Sequence, residues 1–320
     1  MTAVNIGELS AFPGEKVKGF LNAGSTSVNT YRIPLAIING SSNGKTIGVI
    51  GGTHGTEHAS IEAVIRVIKK LDPGNMRGTV LAVPVLNGPQ FEHHSQYLSP
   101  FDQLNLNRVF PGNPKGTLSQ RIAYTVFDKV VSKCDALIDC HGGDINEDLR
   151  GFVLAGKGED EAVNKVALDM ATCYPTRFIN VSQVNPTGMT TSAQIIYKIP
   201  CIIAEAGTPF PVREEEVLFH YEGIMNVLKY FGVIEGAPKR VEPTISKGSI
   251  RLSAEEGGIW RPYVRTDQEV KAGDELGVVN DLFGETQQIV KAPKDGIVGI
   301  MRCFYSVNCG ELLVSLTITK

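Results

Sequence analysis

The chain predicts an α/β fold, a mixed sheet flanked by helices, followed by a smaller all-β domain at the C-terminal end. Two observations predict it. From Thr46 to Phe231, short apolar runs alternate with stretches whose apolar residues recur at helical spacing, which is the pattern of a sheet covered by helices on both faces. From about Val241 onward the alternation stops, and short β-rich segments separated by glycines take over with hardly a helical stretch. A boundary there divides the chain into residues 1–240 and 241–320.

With 320 residues, 42% of them hydrophobic, and a formal charge of -3, the chain can bury a large core. It has no basic excess, arginine-rich run or aromatic-basic interleaving, so no nucleic-acid partner is expected. Met1 to Pro13 carries Glu8 and no basic segment leading into an apolar core. No apolar run approaches the ~18 residues a membrane helix needs. A cytoplasmic location without a membrane partner is therefore expected. Cys134, Cys140, Cys173, Cys201, Cys303 and Cys309 lie far apart, and four of them sit in or beside apolar runs. Reduced, structural thiols are expected, since no Cys-x-x-Cys occurs.

Taken in order, Val28 to Asn39 and Thr46 to Ile50 form strands joined by the turn-rich Asn39 to Gly44, an opening hairpin. Val64, Val67, Ile68 and Leu71 recur at helical spacing from Ser60, and Asp72-Pro73-Gly74 stops that helix. Gly78 to Asn87 is a second apolar strand, with Pro84 marking an edge or a kink. Between Gly88 and Gly116 the pattern is lost, and a loop this long in a compact domain is usually functional. A helix from Thr117 to Ser132 and a buried strand from Ala136 to Cys140 follow. Then come strand Gly151 to Ala155, helix Glu159 to Cys173, strand Arg177 to Val181, helix Thr191 to Lys198, strand Cys201 to Ala204 and helix Arg213 to Phe231.

The chemistry concentrates at Gly51-Gly52-Thr53-His54-Gly55-Thr56-Glu57, between a strand and a helix. A strand ending in glycines, then His and Glu three apart at a helix start, aims an imidazole and a carboxylate into one crevice, as two zinc ligands would be aimed. His141 follows the strand ending at Cys140, and Glu205 follows Cys201 to Ala204. Strand ends are where open α/β sheets place their sites. A lone histidine is more often a satisfied structural residue, but His54 and His141 each follow an apolar strand beside glycines. His58, His93, His94 and His220 keep the structural role. Glu57 alone would suit a helix N-terminus through the dipole, and Arg108 alone would suit a surface ion pair. Glu205 after Ile202-Ile203-Ala204 would be a costly burial without a task. Asp139 and Asp144 flank His141 as orienting groups or as turn residues.

His54-x-x-Glu57, Asn107-Arg108, His141 and Glu205 in Ala-Glu-Ala-Gly, in that order, resemble the succinylglutamate desuccinylase/aspartoacylase family of the zinc carboxypeptidase-like superfamily. The resemblance implies one Zn2+ per chain held by His54, Glu57 and His141, with Glu205 as the catalytic base. It implies a small N-acyl amino acid as substrate, its carboxylate held by Arg108 with a hydrogen bond from Asn107. Two neutral imidazoles and a carboxylate leave zinc an open position for water. The segments Glu269 to Asp274 and Val290 to Val298 resemble the barrel-sandwich hybrid of biotinyl and lipoyl carrier domains, without the carrier lysine. The resemblance implies that this β-domain covers the site.

Two departures stand out. The family's Asp-Leu-Asn-Arg is Asn105-Leu106-Asn107-Arg108 here, so the carboxylate that would orient Arg108 is replaced by an amide, and a second arginine expected before it, to bind the carbonyl oxygen, is absent from Glu92 to Leu106. Three rival activities follow from the same residues. His54-Gly55-Thr56-Glu57-His58 matches the inverted zincin pattern of a large-peptide protease, the superfamily includes carboxypeptidases acting on peptides, and the missing arginine suits a non-catalytic homologue. A homo-oligomer is compatible with the sequence, though no pattern demands one.

Overall fold

Strand Ala136–His141 is buried along its whole length, because helices cover both faces of the sheet and a parallel neighbour pairs with each of its edges. These are Ser42–Ile50 on one side and Cys201–Gly207 on the other. A computed structural model describes residues 2–183, 187–208 and 210–319. Beyond Ser42–Ile50 the sheet continues with Arg77–Val83, parallel, and then with Thr30–Asn39 and Glu15–Ser25, both antiparallel. On the far side Glu147–Lys157 runs antiparallel to Cys201–Gly207. The sheet is mixed, as expected.

Three predicted features are corrected. Thr30–Asn39 forms no hairpin with Ser42–Ile50, since Arg77–Val83 lies between them and Thr30–Asn39 pairs instead with Glu15–Ser25. That earlier strand has mixed polarity because it lies at the end of the sheet, and its polar residues hid it. Pro84 neither kinks a strand nor marks an edge, because the strand stops at Val83 in the sheet interior. The loop from Gly88 to Gly116 contains a short helix, Gly88–His93, and a one-turn 3₁₀ helix, Leu106–Arg108.

Helices His58–Lys70, Glu161–Ala171 and Glu214–Tyr230 pack on one face of the sheet, where Val64, Val67, Ile68, Met170 and Val227 join one core. Burial of such side chains stabilises by roughly 1.5–3 kcal/mol each. Leu118–Lys129 and Met189–Tyr197 cover the other face through Ile122, Val126, Met189 and Ala193. No helix among the described residues is long and apolar enough to cross a membrane. All six cysteines are free.

From Thr244 on, the regular elements among the described residues are all strands; Thr244–Ile245 runs parallel to Phe178–Gln183, and the others pair antiparallel around a separate core of Trp260, Leu276, Val279, Val290 and Leu313. This region is not detached. Its strand Gly296–Arg302 pairs with Glu147–Lys157, with Arg302 opposite Glu147, so one sheet runs through both parts of the chain.

Candidate metal centre

Three adjacent parallel strands end at the same rim. The middle one carries His141, the next places Glu205 directly beside it in register, and the third runs from Ile50 into the Gly51–Glu57 turn. Register neighbours on adjacent strands project to the same face, so His141 and Glu205 share one side of the sheet. The turn depends on glycine at two points. Gly52 has φ +63°, and a Cβ on Gly55 would lie 2.2 Å from the Phe91 nitrogen. Glu57 then caps helix His58–Lys70, so the carboxylate enters from a helix start, the His141 imidazole from a strand end and the His54 imidazole from the turn between.

The ligand atoms of His54, Glu57 and His141 all lie within 4.8 Å of one another, and all three residues are buried. His54 Nδ1 is 2.6 Å from Glu57 Oε1, and His141 Nδ1 is 3.1 Å from Glu57 Oε2. Both Nδ1 atoms therefore point inward. The outward Nε2 atoms are held in turn, since His54 Nε2 is 3.2 Å from Asn105 Oδ1, and His141 Nε2 makes a 3.1 Å ion-pair contact with Asp139 Oδ2. Asp139 is fixed by the Thr53 hydroxyl, which donates to its Oδ1 at 3.1 Å. Such outer partners fix the tautomer that leaves Nδ1 available to a metal.

The electrostatics suit a cation. Burial works against charge on Glu57, but His54 and His141 hold its carboxyl down to about 2. Against the same burial, Glu57 raises His54, while Asp139 and Glu57 raise His141 well above the usual imidazole range. Glu57 Oε2 is buried without an aligned hydrogen bond, and its donor set of two nitrogens and a carboxylate oxygen is one that zinc accepts. The residues fit the metal. Glu205 keeps part of its surface accessible yet lies deep among protein atoms. Burial pushes its carboxyl well up, His141 opposes this, and Glu57, Glu147 and Asp139 add to it.

Residues 43–231 match the family model of the succinylglutamate desuccinylase/aspartoacylase catalytic domain. The chain belongs to that family. It is thus a hydrolase of a deacylase family. The N-α-acetyl-L-2,4-diaminobutyric acid deacetylase of Halomonas elongata is 26% identical over 294 residues, spanning 88% of this chain and 84% of that protein. Two solved structures share its fold. One is a succinylglutamate desuccinylase from Silicibacter sp., with 22% identity, a TM-score of 0.88 and 95% of each chain covered. The other is the product-bound ectoine utilization protein of Ruegeria pomeroyi, with 23% identity, a TM-score of 0.87 and 95% of each chain covered.

In this desuccinylase/aspartoacylase chain the long loop supplies groups that the sequence alone assigned elsewhere. Asn105, standing where the family has aspartate, accepts from the Asn107 backbone N–H at 2.8 Å as well as meeting His54. It supports a candidate ligand rather than the arginine. Asn107 is buried, with Nδ2 3.5 Å from His141 Nε2 and Oδ1 accepting from Met189 N–H at 3.2 Å. Arg108 is exposed, and its Nη1 donates to the Asn107 carbonyl at 2.9 Å. Asp144 touches neither imidazole; it accepts from Thr56 at 2.6 Å and from the Tyr97 N–H at 2.9 Å.

The other histidines lie outside the group of three. His58 stands edge-on to Phe91, His93 stands edge-on to Phe101, and His220 is buried with Nε2 3.2 Å from the Ala206 carbonyl. Sequence reasoning missed Tyr97, whose ring stands edge-on to His54. Nothing in its local pattern distinguishes it from any loop tyrosine.

Proposed function

We propose that this protein is a zinc-dependent hydrolase cleaving the amide bond of a small N-acyl amino acid. The observation that carries this is the convergence of His54 Nδ1, His141 Nδ1 and the Glu57 carboxylate on one buried point. Those three residues would hold one zinc per chain. Zinc bound there lowers the pKa of a water toward ~7 and polarises a carbonyl. Glu205 accepts the proton of the attacking water and hands it to the leaving amine, so that amide and water become a carboxylate and an amine. Its burial favours this, since a carboxyl whose proton affinity is raised works closer to neutral pH. Arg108 pairs with the α-carboxylate through its planar fork, and Asn107 orients the same end while bracing His141.

In this proposal residues 1–240 form the catalytic domain, and residues 241–320 form a β-domain that restricts the crevice to small molecules. The pairing of Gly296–Arg302 with the strand that begins at Glu147, close behind His141, supports the arrangement. A cytoplasmic enzyme acting on a metabolite-sized substrate fits it. The name of the Halomonas elongata relative makes acetylated diamino acids the first compounds to try.

A screen of N-acetyl, N-succinyl and N-formyl amino acids, with amine detection before and after chelation of zinc, tests the proposal. Turnover is expected for compounds with a free α-carboxylate, with loss on chelation. The carboxamide analogues should react poorly, and Arg108→Ala should erase the acid-versus-amide difference. Steady release of C-terminal residues from peptides would overturn both the substrate class and the covering role of the β-domain.

A further inference from the structure

Of the five non-glycine residues with positive φ among the described residues, three lie in the loop that carries Asn105: His94 at 52°, Tyr97 at 51° and Gln103 at 56°. Such conformations persist only where the surroundings over-determine them, and they gather at functional sites. Tyr97 is held at both ends. Its backbone N–H donates to Asp144 Oδ2 at 2.9 Å, and the other oxygen of Asp144 takes the hydroxyl of Thr56, next to Glu57. Its phenol hydrogen-bonds to the Glu147 carboxyl. Its ring stands against His54 at 87°, with centroids 5.7 Å apart.

The phenol is close enough to the metal centre for the Glu57 charge to act on it. Burial, and after it Glu147, Asp144 and Glu57, raise the pKa of the phenol. The same loop lacks the second arginine that the family resemblance implies at the carbonyl oxygen, since Glu92 to Leu106 contains none. We infer that the Tyr97 hydroxyl donates a hydrogen bond to the oxygen of the scissile carbonyl, in place of that arginine, and that Glu147 positions the phenol. No proton is transferred; the donor stabilises charge that grows on the oxygen as water adds. Rotation about the Cζ–Oη bond redirects the hydrogen without moving the ring.

The inference rests on the deacylase proposal, and the test separates the two. Tyr97→Phe removes the hydroxyl and keeps the ring on His54. The zinc-loaded wild type and variant would be compared in steady-state kinetics on an N-acetyl amino acid. Calorimetry would then measure binding of the matching phosphonamidate, a tetrahedral anion, and of the free amino acid. The expected result is unchanged zinc content, kcat lower by the ~10²–10³-fold that loss of one oxyanion donor costs, and KM nearly unchanged. Phosphonamidate affinity should fall by a similar factor, and amino-acid affinity should not.

Wild-type values for kcat and phosphonamidate binding, or loss of zinc from the variant, would overturn the inference. A wild type that neither turns over N-acyl amino acids nor binds the phosphonamidate would overturn the deacylase proposal itself, and the role of Tyr97 with it. If Tyr97→Phe does not fold, Glu147→Ala leaves the tyrosine in place but removes its anchor. A loss of ~10-fold in kcat at constant zinc content is then expected, and no loss would overturn the positioning role.

Discussion

His54 Nδ1 and Glu57 Oε1 stand 2.6 Å apart, one side chain rising from the turn that follows strand Ser42–Ile50 and the other from the cap of helix His58–Lys70. The other oxygen of Glu57 reaches His141 at 3.1 Å, so one carboxylate holds two imidazoles that are far apart in the chain. Asn105 and Asp139 fix those rings from behind.

Removing one of the three groups should therefore release the metal. His141→Ala is expected to carry much less than one zinc per chain, because two remaining ligands hold zinc poorly. His58→Ala should keep its zinc. Elemental analysis of both proteins decides the matter, since loss of zinc from His58→Ala would favour the inverted zincin arrangement.

The groups behind the rings should tune the metal without binding it. Asp139→Asn and Asn105→Ala are each expected to weaken zinc affinity by ~10–100-fold. Competition with a chromogenic chelator measures this. Wild-type affinity in both variants would reduce these contacts to ordinary packing.

Glu205→Gln preserves shape and hydrogen bonding but accepts no proton. Zinc content should be unchanged while turnover falls by the ~10²–10⁴-fold typical of a general acid-base group. Near-normal turnover would remove Glu205 from the mechanism.

His220 predicts an acid-sensitive component of stability. Burial lowers its imidazole from 6.5 to about 4, with the Ala206 carbonyl partly opposing. Between those values the unfolded chain holds a proton that the folded chain refuses, so stability falls as pH drops from 6.5 toward about 4. The slope contributed is at most about 1.4 kcal/mol per pH unit. His220→Gln should show a smaller drop in melting temperature than wild type across that window by scanning calorimetry. An equal drop in the two proteins would exclude His220 as the cause.

The residue types at the centre were legible in the sequence because their signals are local. An apolar run, glycines and then His or Glu mark a strand end wherever they occur, and three such marks named His54, Glu57, His141 and Glu205. Helical spacing from Ser60 to Leu71 and the change of pattern near Val241 were equally local. The outer partners were not legible. Asp139 lies two residues before His141 and Asp144 three after it, yet only Asp139 meets its ring, because it shares the strand and its pleat and is fixed by Thr53, 86 positions away. Asn105 was read as an altered partner for Arg108, and the fold turned it to His54, 51 positions away.

The same limit explains the missed opening strand, the misplaced hairpin and Tyr97. Composition and periodicity determine which segments are strands and which residues are chemically able to act. Which strand pairs with which, and which polar atom meets which, depends on contacts between segments distant in the chain. Those contacts arise only when burial of the two cores forces the segments together, and no local pattern encodes them.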